Sequence, residues 1–119
     1  MTNTRAFTFI YTGAFTRQWQ QAKLTDADLR EVESLLMHDP EAGAAVSGTG
    51  GLRKLRIAVA GRGKRGGGRI GYAAFPALNH IAMILLYLKN DQGDIAPADK
   101  AIIRRYLEEI ETYIRGKML

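Results

Sequence analysis

Lys54 and Arg56 stand two residues apart in LRKLRIAV, Arg69 opens RIGYAAF, and Tyr87 and Lys89 close the run HIAMILLYLK. Residues at i and i+2 of a strand project from one face, so Lys54 and Arg56 share a side, and Arg69 begins the strand expected to pair with theirs. Such a cluster can clamp a phosphodiester. Attack of a ribose 2′-hydroxyl on its neighbouring phosphorus needs a base, an acid and stabilisation of the developing charge. Lys, Tyr and Arg fill those roles without a metal when burial and surrounding positive charge depress a lysine pKa. The catalytic candidates are therefore Lys54, Arg56, Arg69, Tyr87 and Lys89, while Arg53, Arg62, Lys64 and Arg65 are candidates for gripping a polynucleotide backbone. Phosphate binding without cleavage would use the same residues.

The distribution of charge supports a polyanionic partner. The chain carries a formal charge of +5, yet no acidic residue lies between Glu41 and Asp91, an interval holding Arg53, Lys54, Arg56, Arg62, Lys64, Arg65, Arg69 and Lys89. Those 8 basic residues leave 9 basic against 12 acidic elsewhere, so a cationic middle sits between mildly acidic flanks. Clustered Lys and Arg are the sequence form of a phosphate-binding surface, although a solvated basic face has the same composition.

Other chemistries find little support. Gly61, Gly63 and Gly66 match GxGxxG in form, but a strand follows where a dinucleotide site needs a helix N-terminus, and GRGK lacks the remaining positions of a phosphate-binding Walker loop. His38 and His80 have no second ligand at metal-binding spacing, so neither metal nor cofactor is expected. Paired carboxylates are absent from the cationic middle. Phe7, Phe9, Phe15 and Trp19 read as core in preference to a base-stacking platform. With no cysteine, disulfides and thiolate sites are excluded, in keeping with the cytoplasm. MTNTRAFTFIYTG is too short in its apolar run for a signal peptide or a membrane span.

These residues need elements to hold them. At 119 residues with 46% hydrophobic and 24% charged residues, the chain is expected to form a single domain, 1–119, with one core. Phe7 to Tyr11 read as a first strand, Phe15 through Trp19 as a short helical stretch with Phe15, Trp19 and Ala22 on one face, and Thr25 with Asp28 as a capping-box start to an amphipathic helix carrying Leu29, Val32, Leu35 and Leu36. That helix should end near His38, ahead of Pro40. AGAAVSGTGG reads as a loop. LRKLRIAV puts Leu55, Ile57 and Val59 on one face, and with RIGYAAF it predicts a hairpin whose tip is AGRGKRGGG. HIAMILLYLK, apolar on both faces, suits a central strand, or on length alone a buried helix. Pro97 fits the first turn of a last helix from about Ala96 to Arg115. The order β-α-α-β-β-β-α predicts an α+β fold, a small antiparallel β-sheet with its helices packed on one face.

The stretch from Asp39 to Phe75, with its GTGGLRKLR and RGKRGG pieces, followed by LLYLKND, resembles the HigB branch of the RelE/ParE toxin superfamily, the likeness running from about Phe7 to Asp99. The resemblance implies a RelE-like fold, neutralisation by a cognate antitoxin, often a helix-turn-helix protein of the HigA kind, and cleavage of mRNA in the ribosomal decoding site. It also implies that Lys54 and Arg56 match the family's basic strand positions, Arg69 its strand-opening arginine, and Lys89 the basic residue near the end of the last strand. RelE uses a tyrosine in its C-terminal helix. No tyrosine stands at the start of that helix here, and Tyr87 takes its place as the candidate. On this reading Arg56 and Arg69 hold the phosphate, Lys54 or Lys89 moves the proton, and the loop from Arg62 to Arg65 grips rRNA. The same superfamily includes ParE-like inhibitors of DNA gyrase that cut nothing, and an inactive RNA-binding relative is a third possibility.

Overall fold

A computed structural model describes residues 6–59, 67–88 and 96–118. The chain runs through β1 (Thr8–Tyr11), α1 (Gly13–Gln21), α2 (Asp26–His38), β2 (Ala44–Ala45), β3 (Arg53–Ile57), β4 (Gly68–Phe75), β5 (His80–Leu88) and α3 (Pro97–Lys117). The strands form one 5-stranded sheet in the order β1-β5-β4-β3-β2.

Local signals account for most of these boundaries. Thr12 caps α1, its hydroxyl accepting from the Phe15 N–H at 3.0 Å. Thr25 and Asp28 form the reciprocal capping box of α2, with Asp28 N–H on the Thr25 hydroxyl at 3.1 Å and Thr25 N–H on the Asp28 carboxylate at 2.8 Å. β4 and β5 are joined by a 3₁₀ turn at Pro76–Leu78 that closes on Asn79 in the left-handed region, φ 55°. β5 reads as apolar on both faces because both are covered, Ile81 and Met83 packing with α1 and α2 and Ala82 and Ile84 with Leu107 of α3.

Two apolar clusters lie on opposite faces of the sheet. Leu55, Ile70, Tyr72, Ile81, Met83 and Leu86 pack with Phe15 and Trp19 of α1 and Val32 and Leu36 of α2. Ala73, Ala82 and Ile84 pack with Leu52 and with Leu107 of α3. Tyr72 and Ala73 are successive on β4 and must point oppositely, which puts α3 across the sheet from α1 and α2.

The α+β class holds, and three details of the sequence reading are corrected. The helices cover both faces instead of one. The sheet is mixed: β1 pairs β5 in parallel, Thr8 beside His80 and Tyr11 beside Met83, while the remaining ladders are antiparallel. α1 and α2 carry the chain from β1 across one face, and β1 then lies on the outer edge of the last strand. Finally, AGAAVSGTGG is not wholly loop, because Ala44 and Ala45 pair with Lys54 and Arg53. Alanine and glycine give no strand signal, so only the partner strand makes this one. The predicted hairpin tip from Ala60 to Gly66 lies outside the described residues.

Candidate nucleic-acid interface

β3 and β4 place the basic candidates in register. Arg56 is the direct partner of Arg69, and Arg69 is in turn the partner of Tyr87 on β5. Directly paired residues share a face with Cβ atoms about 5 Å apart, so the three form a continuous row across three strands. Lys54, two residues along β3, lies beside Gly71 on the same face. What fixes this face is the opposite parity: Leu55, Ile70 and Leu86 alternate with the row and are all buried against α1 and α2. A one-residue slip would bury the arginines, so register and core are specified together.

α3 covers only part of the face that carries the row. Its cluster includes Ala73 with Ala82 and reaches Leu85, the partner of Gly71; Arg69 and Tyr87 lie two residues beyond. Arg56 is exposed, and Lys54, Arg69 and Tyr87 are half-buried. Arg69 Nη1 donates to the Gly68 carbonyl at 3.2 Å, which steadies its guanidinium beside the strand. The arrangement can hold an anion against three strands with a phenol and an ammonium alongside.

Arg53 is placed elsewhere. It has the parity of Leu55, and its Nη1 donates to the carbonyls of Gly43 at 2.7 Å and Glu41 at 3.3 Å, with Nη2 3.8 Å from the Glu41 carboxylate. Its side chain ties down the segment before β2 and does not join Lys54 and Arg56. Arg62, Lys64, Arg65 and Lys89 lie outside the described residues.

Several residues that build the site have no obvious chemistry in the sequence. Tyr72 is fully buried; its hydroxyl donates to the Pro40 carbonyl at 2.8 Å and accepts from the Gly43 N–H at 2.9 Å. Burial pushes the Tyr72 phenol above its ordinary pKa of 10.0, partly offset by the Gly43 hydrogen bond and the nearby Arg53 charge. Gly43 is required there, since a Cβ would come within 2.8 Å of the Lys54 carbonyl and of the Tyr72 ring. The β2–β3 turn is held by buried Thr49, which donates to the Val46 carbonyl at 2.6 Å and accepts from the Leu52 N–H at 3.0 Å. Gly48, Gly50 and Gly51 of that turn have φ of 82°, 76° and 131°, and Arg104 of α3 clasps it through the Gly48 carbonyl at 3.1 Å.

β5 needs help where β1 stops. Beyond Tyr11 the outer edge of β5 would be unpaired, and α1 supplies side chains in place of a strand. Thr12 donates to the Ile84 carbonyl at 2.6 Å, and the Gln18 amide oxygen accepts from the Leu86 N–H at 2.8 Å, one residue before Tyr87. Gln18 lies three residues after Phe15 and next to Trp19, a polar residue on the buried face of an amphipathic helix, and that misplacement was its available signal. His80 is 6% exposed with Nδ1 on the Leu78 carbonyl at 2.7 Å, and His38 Nδ1 meets the Ser34 carbonyl at 3.0 Å. Among the described residues no group of three or more His, Cys, Asp or Glu side chains could hold a metal ion, and no helix is long and apolar enough to cross a membrane.

The fold is a mixed sheet with helices on both faces and a basic row on one of them. The family model described as the RelE toxin of the RelE/RelB toxin-antitoxin system matches residues 8–118, and the chain belongs to that family. A cognate antitoxin is the partner this membership implies.

Proposed function

We infer that this toxin is an mRNA endoribonuclease acting in the ribosomal decoding site, in the cytoplasm and without a metal. The observation that carries the reading is the Arg56–Arg69–Tyr87 row, three in-register positions on one face, with Lys54 beside it. The two guanidinium groups hold the scissile phosphate and stabilise the charge that builds on its oxygens. The ribose 2′-hydroxyl gives its proton to a base and bonds to phosphorus, the bond from phosphorus to the 5′-oxygen breaks, and that oxygen takes a proton. Lys54 or Lys89 serves in proton transfer with Tyr87 as partner. Arg62, Lys64 and Arg65, which lie between β3 and β4 in sequence, grip rRNA backbone.

The antitoxin is a helix-turn-helix protein of the HigA kind, in keeping with the HigB-like GTGGLRKLR and RGKRGG pieces, and residues 1–119 act as a single toxin domain. The test is to map mRNA 5′ ends after brief induction, comparing the natural chain with the Arg56→Ala, Arg69→Ala double variant. Cuts confined to translated regions and absent from the double variant are expected. Growth arrest with intact mRNA and DNA breaks would overturn the reading in favour of gyrase inhibition.

A further inference from the structure

α3 is apolar on two sides, and only one of them is used. Leu107 and Ile114 are buried and Ile103 and Ile110 pack beside them, which accounts for the face against the sheet. Turned roughly a quarter of the way round the helix, Ile102 is 66% exposed, Tyr106 40% and Tyr113 61%. Together with Glu109 these positions are spaced four, three and four apart, the interval of a helix-pairing seam. A groove of ≈ 370 Å³ runs along it, lined by Ala101, Ile102, Arg105, Tyr106 and Glu109.

The charges beside the seam identify its occupant. Arg115 is paired with Glu111 at 3.0 Å and Arg104 is held by the Gly48 carbonyl, but no ion pair engages Arg105 or Glu109 among the described residues. Within one helix the order Arg before Glu is the less favourable i, i+4 orientation. Across an antiparallel pair the geometry changes. Arg105 and Glu109 are centred on position 107, and Ile102 and Tyr113 on 107.5, half a residue away. A single two-fold axis near Leu107 would therefore set Ile102 of each copy on Tyr113 of the other and Arg105 on Glu109, twice over. Such self-complementarity is what an isologous interface requires. A partner of one charge sign would satisfy Arg105 or Glu109 but leave the other opposed.

We propose that this face of α3 docks on a second copy of the chain, giving an antiparallel helix-to-helix dimer through Ile102, Tyr106 and Tyr113 with reciprocal Arg105–Glu109 pairs. The basic row does not take part, so dimerisation and cleavage are separable. The test is sedimentation velocity over a dilution series for the full chain, Arg105→Glu, Glu109→Arg, and an equimolar mixture of the two variants, with circular dichroism to establish that each is folded. The natural chain should show a concentration-dependent dimer. Each single variant should weaken it roughly tenfold or more, because like charges then face each other at both contacts. Mixing the two variants should restore a dimer containing one of each, since both contacts become complementary again. A natural chain that stays monomeric throughout would overturn the proposal, as it would if only an added protein occupied the stripe. Folded variants that dimerise as the natural chain does, or a mixture that fails to recover, would overturn it equally.

Discussion

Arg56 of β3 and Arg69 of β4 face each other directly across an antiparallel ladder, two like charges in register at a position where a sheet would gain from opposite ones. A phosphate placed between them would be held from both strands at once. Arg56→Thr keeps a good strand former at the position. It should leave the melting temperature unchanged or raise it, while reducing cleavage of translated mRNA by about a hundredfold or more. Thermal unfolding and primer extension on the same preparations check both halves.

Tyr72 fastens the segment from Pro40 to Gly43 against the sheet through two hydrogen bonds. Tyr72→Phe leaves the Gly43 N–H and the Pro40 carbonyl without that partner and should cost about 1–3 kcal/mol in denaturant unfolding. The pH dependence follows from the raised pKa. Below 10.0 the phenol is neutral in both states. As the pH rises past that value the unfolded chain ionises first and unfolding is favoured, so the denaturant midpoint should fall there. Tyr72→Phe should fall less steeply over the same range.

Gln18 acts on the site through the backbone of β5. Gln18→Leu leaves the Leu86 N–H unsatisfied and lets the strand shift at Tyr87, which should lower cleavage roughly tenfold through loss of positioning. In the Tyr87→Phe background the same substitution should cost less than it does alone. Full additivity in single-turnover rates would remove Gln18 from the positioning of Tyr87.

Asp28 supports the start of α2. Hydrogen bonds from the Thr25 backbone and then the Thr25 hydroxyl hold its carboxyl below the ordinary value of 3.8, against a small opposing effect of burial. A depressed carboxyl stabilises the fold above that value and ceases to do so as the pH drops through its folded pKa. Asp28→Ala should therefore lower the urea midpoint at neutral pH, and the gap should close as the pH falls below 3.8.

What could be read from the residues was local in its physics. The alternation of Leu55 and Ile57 with Lys54 and Arg56 follows from the two-residue period of a strand, and the Thr25–Asp28 box and Pro97 mark helix starts within a single turn. The pairing of Arg69 with the basic strand was legible too, since a hairpin joins neighbours. The resemblance added the family, which the match over residues 8–118 bears out.

Arg53 shows where that reading ran out. In sequence it is one more cation beside Lys54, and only the position of Glu41 and Gly43 against β3 reveals that its charge is already engaged. β2 is a strand because a partner lies beside it, Gln18 matters because β1 ends early, and α3 crosses to the other face because Leu107 has Ala73 and Ala82 to cover. The sequence by itself determined the helices, the alternation of β3 and the gathering of basic residues on and beside it, since periodicity and capping act over a few residues. Only the tertiary structure decided the parallel β1–β5 edge, the placement of α3 and which arginines remain on the open face. Those depend on groups far apart in the chain that compete for the same partners.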